Sequence, residues 1–246
     1  MSLVNIIKLN ATPSTNTYLK DLAKTCVLKD YTVVVTQRQT KGRGQVDALW
    51  HSQPNNSLTL SVFKRFNGLQ ISQQWYVSMA VSLAVFSTLK HFKIPEISIK
   101  WPNDIMSRSK KCCGILIENT IKGNLIDASI IGIGINVNEK QFKDLPLASS
   151  LRLATGNNFD ISLVRKILLQ QLEIELTRLE NGDFESIFSS YNQKLYRLDT
   201  VAVYSSKTLP AFNAILRGVT NSGLLVLEND SSQRDTYNLK EIKYHF

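Results

Sequence analysis

A chain of 246 residues with 43% hydrophobic and 20% charged side chains can bury the core of one large domain, or of a main domain with a small companion, and is not disordered. Its apolar runs fall short of a membrane span and residues 1–8 lack a basic, then long apolar, leader, so no membrane and a cytoplasmic location are expected. The net charge of +9 is scattered rather than patched and has no helix-turn-helix beside it, which favours an anionic nucleotide or an acidic protein partner over specific DNA.

In chain order, Pro13-Ser14-Thr15-Asn16 offers a turn and helix caps ahead of a predicted helix over 17–28. A buried strand is expected over 31–36. The loop after it runs Thr40-Lys41-Gly42-Arg43-Gly44-Gln45-Val46-Asp47-Ala48-Leu49-Trp50. Two glycines at i and i+2 let a ligand approach the backbone, and Arg43 between them presents a fork of donors suited to phosphate or carboxylate. Trp50 adds an aromatic wall. The bland alternative is a solvated basic turn. A strand over 57–63 follows. Val77, Val81, Ala84, Val85 and Leu89 then mark a helix over 73–92, a stripe that reads as core packing.

A short strand over 97–100 runs into Trp101-Pro102-Asn103-Asp104, where Pro102 biases Trp101 toward an extended backbone. Lys111 precedes a strand over 114–118, and Gly114 allows close approach. Lys110-Lys111 could equally be a solvated pair. A turn at Lys122-Gly123 leads to a hairpin partner over 125–135. There Gly132 and Gly134 alternate with isoleucine, giving a bare face against which a flat ligand could lie; the glycines lack the third member and helix of a dinucleotide fingerprint. Residues 138–158 read as irregular. Helices are expected over 161–179 and 183–195, then short strands over 200–204, 214–219, 223–227 and 236–244, the signature of a small β-barrel. Cys26, Cys112 and Cys113 form neither a disulfide framework nor a metal motif and read as reduced thiols; no Ser-His-Asp or Cys-His set is evident.

The ordered set Ser14-Thr15-Asn16, Gln39 with Gly42-Arg43-Gly44 and Trp50, then 100–104, 111–118 and 132–136, resembles the biotin–protein ligases over nearly the whole chain. The resemblance implies an α+β fold: a mixed-sheet catalytic domain of the biotin/lipoate ligase type over 1–196 and a small C-terminal SH3-like β-barrel over 197–246. It implies that Ser14, Thr15 and Asn16 hold the ureido ring of biotin, with Gln39 at the rim. Gly42, Arg43, Gly44 and Gln45 would close over the biotin carboxylate, with Gly114 and Lys111 also on the biotin side. Arg43, Trp50, Asn103, Asp104, Lys111 and Asn136 would serve ATP, with Lys111 and Arg43 as the catalytic charges. Mg²⁺ would come mainly through the phosphates, with no protein metal ligand assigned.

The implied partner is the acceptor lysine of a biotin carboxyl carrier domain, and exposed sheet edges leave room for a homodimer. Two departures stand out: relatives of this kind often carry a basic residue where this chain has Gln45 and a glycine where it has Asp47. Repressor members carry an N-terminal DNA-binding domain, and with Asn16 reached within sixteen residues none is expected here. The loop over 40–49 holds little apolar surface and is expected to order over ligand. The rival readings are a lipoate or octanoate transfer enzyme of the same fold, whose arginine- and glycine-rich signature with a histidine is missing here, and a non-catalytic biotin- or nucleotide-binding protein.

Overall fold

A computed structural model describes residues 5–45, 48–207 and 209–245. Val46 and Asp47, and with Asp47 one of the two departures, lie outside the described residues, as do residues 1–4 at the start of the N-terminal segment. The elements up to residue 136 are β1 (Ile6–Thr12), α1 (Thr15–Thr25), β2 (Thr32–Gln39), β3 (Ser57–Arg65), α2 (Gln74–His91), β4 (Ile97–Lys100), β5 (Asp104–Ser107), β6 (Lys110–Lys122) and β7 (Leu125–Asn136). Their strands form one seven-stranded sheet in the order β1-β2-β3-β7-β6-β5-β4. Only β1 and β2 pair in parallel, because α1 carries the chain across between them; every other neighbouring pair is antiparallel.

The central strands are covered on both faces, and the period-two alternation of side chains assigns each face its material. Eight of the nine β3 positions are buried. Leu58, Leu60 and Val62 of β3, and Ile131, Ile133 and Ile135 of β7, join the main core. That core is capped by α2 and by two later helices, α4 (Ile161–Glu180) and α5 (Phe184–Asn192). The opposite face is apolar at one end, where Val34, Phe63, Ala128 and Ile130 pack beneath Leu19 of α1. Further along that face the same two strands carry Thr59, Ser61, Gly132 and Gly134. Small and polar residues there leave space that a continued apolar face would fill, and that space is the site.

Ser14 caps α1 by accepting from Thr17 N at 3.4 Å, so the helix starts at Thr15, two residues earlier than the spacing predicts, and ends at Thr25. The periodic stripe of α2 is buried as expected, but so are Met79, Ala80, Ser82 and Leu83, because α4 and α5 cover it as well as the sheet. β1 and β5 escape the sequence pattern: β1 is a partly exposed edge strand, and β5 has only four residues. β6 extends well beyond 114–118 and includes Lys111. Within the stretch expected to be irregular, Ser150 accepts from Leu153 N at 3.1 Å and starts a short helix, α3 (Leu151–Thr155), ended by Gly156 at φ +81°.

The remaining strands are β8 (Val201–Ser206), β9 (Phe212–Val219), β10 (Leu225–Glu228), β11 (Arg234–Tyr237) and β12 (Ile242–Tyr244); the single strand expected over 236–244 is thus two. They form a separate antiparallel sheet in the order β11-β10-β9-β8-β12. No β11–β12 pairing closes it into a barrel among the described residues. This sheet is fastened to the first unit at Trp101, whose Nε1 donates to Gly223 O at 2.9 Å. Trp75 stacks on Trp101 with ring centroids 6.4 Å apart. Gly223, in the turn before β10, has φ +83°, and a Cβ there would lie 1.9 Å from Trp75 Cδ2. Trp101 is joined to Pro102 by a cis peptide bond.

Candidate active site

A cavity of about 230 Å³ opens on the α1 face of the large sheet. Among its walls are Ser14, Thr15, Asn16, Gln39, Arg43, Gly44, Gln45, Trp50, Asn103, Asp104, Lys111 and Gly114, twelve of the residues singled out from the sequence. With Gly132 and Gly134 of β7, which also line it, five separate segments converge on one place. Gly42 and Asn136 do not line this cavity. Gly42 sits under the loop, where a Cβ would lie 2.4 Å from Trp50 O, and borders a neighbouring cleft of about 860 Å³. Asn136 is buried at the end of β7, its Nδ2 donating to Ser149 O at 3.0 Å, while its Oδ1 meets no partner among the described residues.

One end of the cavity is neutral and closely hydrogen-bonded. Thr15 donates twice to Gln39 Oε1, from N at 2.8 Å and from Oγ1 at 3.1 Å. Ser61 Oγ donates toward Asn16 Oδ1 at 2.6 Å and meets Thr15 Oγ1 at 2.7 Å. Asn16 Nδ2 donates to Leu116 O at 3.2 Å and to Glu118 Oε2 at 2.8 Å. Ser14 Oγ accepts from Thr17 N at the helix cap, which leaves its O–H as a donor beside Thr15 and Asn16 on the cavity wall.

Asp104 organises the other, charged end. It meets Lys111 Nζ at 2.5 Å and Lys100 Nζ at 3.6 Å. Burial lowers the Lys100 pKa, against the pull of Asp104, which favours its charged form. Lys111 is not a solvated lysine. Its backbone pairs with β5 on one side and, on the other, donates to Leu147 O (2.7 Å) and accepts from Ser149 N (2.8 Å). Its Nζ lies 5.9 Å from the Trp50 ring centroid. Asn103 is anchored by Nδ2 donating to Ile115 O at 2.7 Å. Among the described residues no three His, Cys, Asp or Glu gather as a metal site.

The glycine face of β7 differs from its expected bareness. A Cβ on Gly132 would lie 2.3 Å from Asn16 Oδ1, and one on Gly134 would lie 2.4 Å from Trp50 Cε2. The protein's own amide and indole pack against the two glycines, which line the cavity together with them. Trp50 Nε1 is buried there with no acceptor among the described residues. Cys112 and Cys113 are fully buried core residues, and burial pushes the thiol of Cys112 up to about 12 and that of Cys113 well above the usual range.

The profile of the Biotin/lipoate A/B protein ligase family matches residues 9–136, more than half of the chain and all but the outer end of the large sheet. The chain belongs to this family. The bifunctional ligase/repressor BirA of Bacillus subtilis is 30% identical over 212 residues, which cover 84% of this chain and 64% of that protein. The chain thus spans a little under two thirds of that relative. The biotin–[acetyl-CoA-carboxylase] ligase of Paracoccus denitrificans is 25% identical over 82% of this chain and 85% of its own. A solved structure of the Aquifex aeolicus biotin protein ligase in complex with biotin and ATP superposes with a TM-score of 0.79 at 25% identity, covering 98% of this chain and 99% of that one.

Within this biotin/lipoate ligase fold the basic loop is a small hairpin of its own. Trp50 N donates to Gly42 O at 3.0 Å, Gly44 N to Ala48 O at 2.6 Å, and Ala48 N to Gln45 O at 3.1 Å. Arg43 points to β6, where NH2 donates to Glu118 Oε2 at 3.0 Å. Three residues of this network were not found from the sequence: Thr59 and Ser61, which share the site face of β3, and Glu118 of β6. Their signal was present. Hydroxyls alternate with leucines in Ser57-Leu58-Thr59-Leu60-Ser61, and Glu118 is the one charge ending Gly114-Ile115-Leu116-Ile117. Among the described residues no helix is long and apolar enough to cross a membrane.

Proposed function

We propose that this chain activates biotin as biotinyl-5′-AMP and passes the biotinyl group to a lysine of a biotin carboxyl carrier domain. The observation that carries the reading is one cavity with two chemistries, neutral donors and acceptors at Thr15, Asn16 and Gln39, backed by the buried Ser61, and paired charges at Lys111, Asp104 and Arg43, in a member of this family. A ureido ring has one carbonyl acceptor and two N–H donors, which short hydroxyls and amides satisfy without adding charge. Its valerate chain would then carry the carboxylate toward Lys111.

In the first half-reaction a biotin carboxylate oxygen attacks the α-phosphorus of ATP and the bond to the β-phosphate oxygen breaks, releasing pyrophosphate. In the second, the carrier's lysine nitrogen attacks the acyl carbon and AMP leaves. Lys111 is placed to offset charge on the carboxylate and the α-phosphate, and Arg43, once turned from Glu118, to hold the phosphate. The orphaned Oδ1 of Asn136 offers an acceptor to an amino group on the nucleotide. Asp104 is already occupied by two lysines, so Mg²⁺ fits here as an ion brought by the triphosphate, where it would neutralise phosphate charge. The catalytic unit is taken as 1–196 and the C-terminal unit as 197–246. Free thiols at all three cysteines suit the cytoplasm, and the sheet edges at β1 and β11 are where a second copy would pair.

The test is pyrophosphate release from the purified chain with ATP and Mg²⁺, with biotin or lipoate added, followed by mass shift of an added carrier domain. Biotin-dependent release and a biotinylated carrier are expected. Release driven by lipoate alone would install the transferase reading, and binding of biotin without release would install the non-catalytic one.

A further inference from the structure

Glu118 has no role in the chemistry above, yet three side-chain donors converge on its carboxylate. Its Oε2 accepts from Asn16 Nδ2 at 2.8 Å and from Arg43 NH2 at 3.0 Å, and Lys20 Nζ stands 3.8 Å from Oε1. The first contact decides which way an amide points. Both hydrogens of Asn16 Nδ2 are committed to protein acceptors, Leu116 O and Glu118. Oδ1 must then face the other way, toward Ser61 Oγ and over Gly132. An oxygen so directed has a second lone pair for a ligand N–H. Turned by half a rotation, the same amide would offer a donor where an acceptor is needed, and would leave Nδ2 facing a hydroxyl already shared with Thr15.

The second contact draws Arg43 toward the same carboxylate oxygen, so the residue that orients the neutral end of the cavity also competes for the loop's cation. A carboxylate makes a stronger bond to the amide than a carbonyl would, because it is charged. When Arg43 turns to an anion, Asn16 keeps that oxygen for itself.

We propose that Glu118 is a positioning residue that acts through Asn16, fixing the amide so that Oδ1 presents an acceptor to the ureido N–H of biotin. The proposal rests on the biotin reading above. The experiment is calorimetric titration of biotin into the wild type, Glu118→Ala, Glu118→Gln, Asn16→Ala and the double variant Asn16→Ala/Glu118→Ala, with a thermal melt of each. Glu118→Ala is expected to bind biotin about tenfold more weakly, the size of one lost hydrogen bond to a charged group. Glu118→Gln should recover most of that loss, since its amide oxygen still accepts from Asn16 Nδ2. In the Asn16→Ala background, removing Glu118 should cost less than about twofold more, as for residues acting in one network.

Losses that multiply in the double variant would overturn the proposal, as would a Glu118→Gln as weak as Glu118→Ala. So would a Glu118→Ala that binds as well as or better than wild type, which would leave Glu118 only as Arg43's competitor. A wild type that does not bind biotin sinks the functional reading itself, a different result from any of these.

Discussion

Lys111 shows how a single residue acquires a role from its surroundings. Lys110 beside it is exposed, whereas Lys111 is held on both backbone edges and pointed at Asp104 across 2.5 Å. Replacing it with alanine removes the cation and leaves Asp104 facing Lys100 alone. We expect Lys111→Ala to slow biotin-dependent pyrophosphate release by about 10²-fold or more, as when other preorganised electrostatic contacts are lost, with the melting temperature little changed. Adenylation near the wild-type rate would return Lys111 to an ordinary surface lysine. The sequence brought this residue forward because it stands just before the buried strand expected over 114–118. It could not show that Leu147 and Ser149, from thirty-odd positions later, clasp its backbone. Ser61 and Thr59 stayed hidden for a related reason: hydroxyls in a strand read as ordinary alternation until the other face is known to be buried too.

Among the elements, the basic loop between β2 and β3 changes most between pattern and structure. Its glycines were read as places where a ligand approaches the backbone, whereas the close neighbour of Gly42 is the protein's own Trp50 O. The hairpin bonds across Gly42, Gly44, Ala48 and Trp50 were not legible, because no apolar period marks them. Gln45 lines the cavity where a further cation would strengthen the field around a phosphate. We expect Gln45→Arg to slow release of biotinyl-5′-AMP, measured by chasing labelled adenylate, by roughly threefold to tenfold for an added partly exposed charge contact. An unchanged release rate would remove the charge argument. Limited proteolysis of the loop should fall when biotin and ATP are present, and equal cleavage in both states would remove its action as a lid. The strands of the sheet centre were plain in the sequence because their leucines, valines and isoleucines recur at every second position. Edge strand β1 and four-residue β5 were lost because they show neither a long run nor a clean alternation.

At the scale of the whole molecule, the C-terminal sheet meets the large unit at a tryptophan two residues from Asn103. The change of character near residue 197 was visible in the sequence, but the seam was not, since Trp75, Trp101 and Gly223 lie far apart along the chain. A methyl group at Gly223 would clash with the Trp75 ring and require an unfavourable backbone at φ +83°. Gly223→Ala should cost about 1–3 kcal/mol, lowering the melting temperature by roughly 2–4 °C for each kcal/mol. Because Trp101 leads through Pro102 to Asn103 and Asp104, the KM for ATP should rise as well. A drop in melting temperature with kinetics untouched would make the seam a fastening only.

The three thiols are placed very unequally. Cys26 is exposed at the C-terminal end of α1, while Cys112 and Cys113 have no solvent exposure and thiols that resist ionisation. The native chain therefore comes ready for single-site labelling. A maleimide dye should attach once, at Cys26, on the helix whose other end carries Thr15 and Asn16. Intact mass spectrometry would read one adduct under folded conditions and three after unfolding. A dye so placed could follow events at the cavity without one cysteine being added or removed.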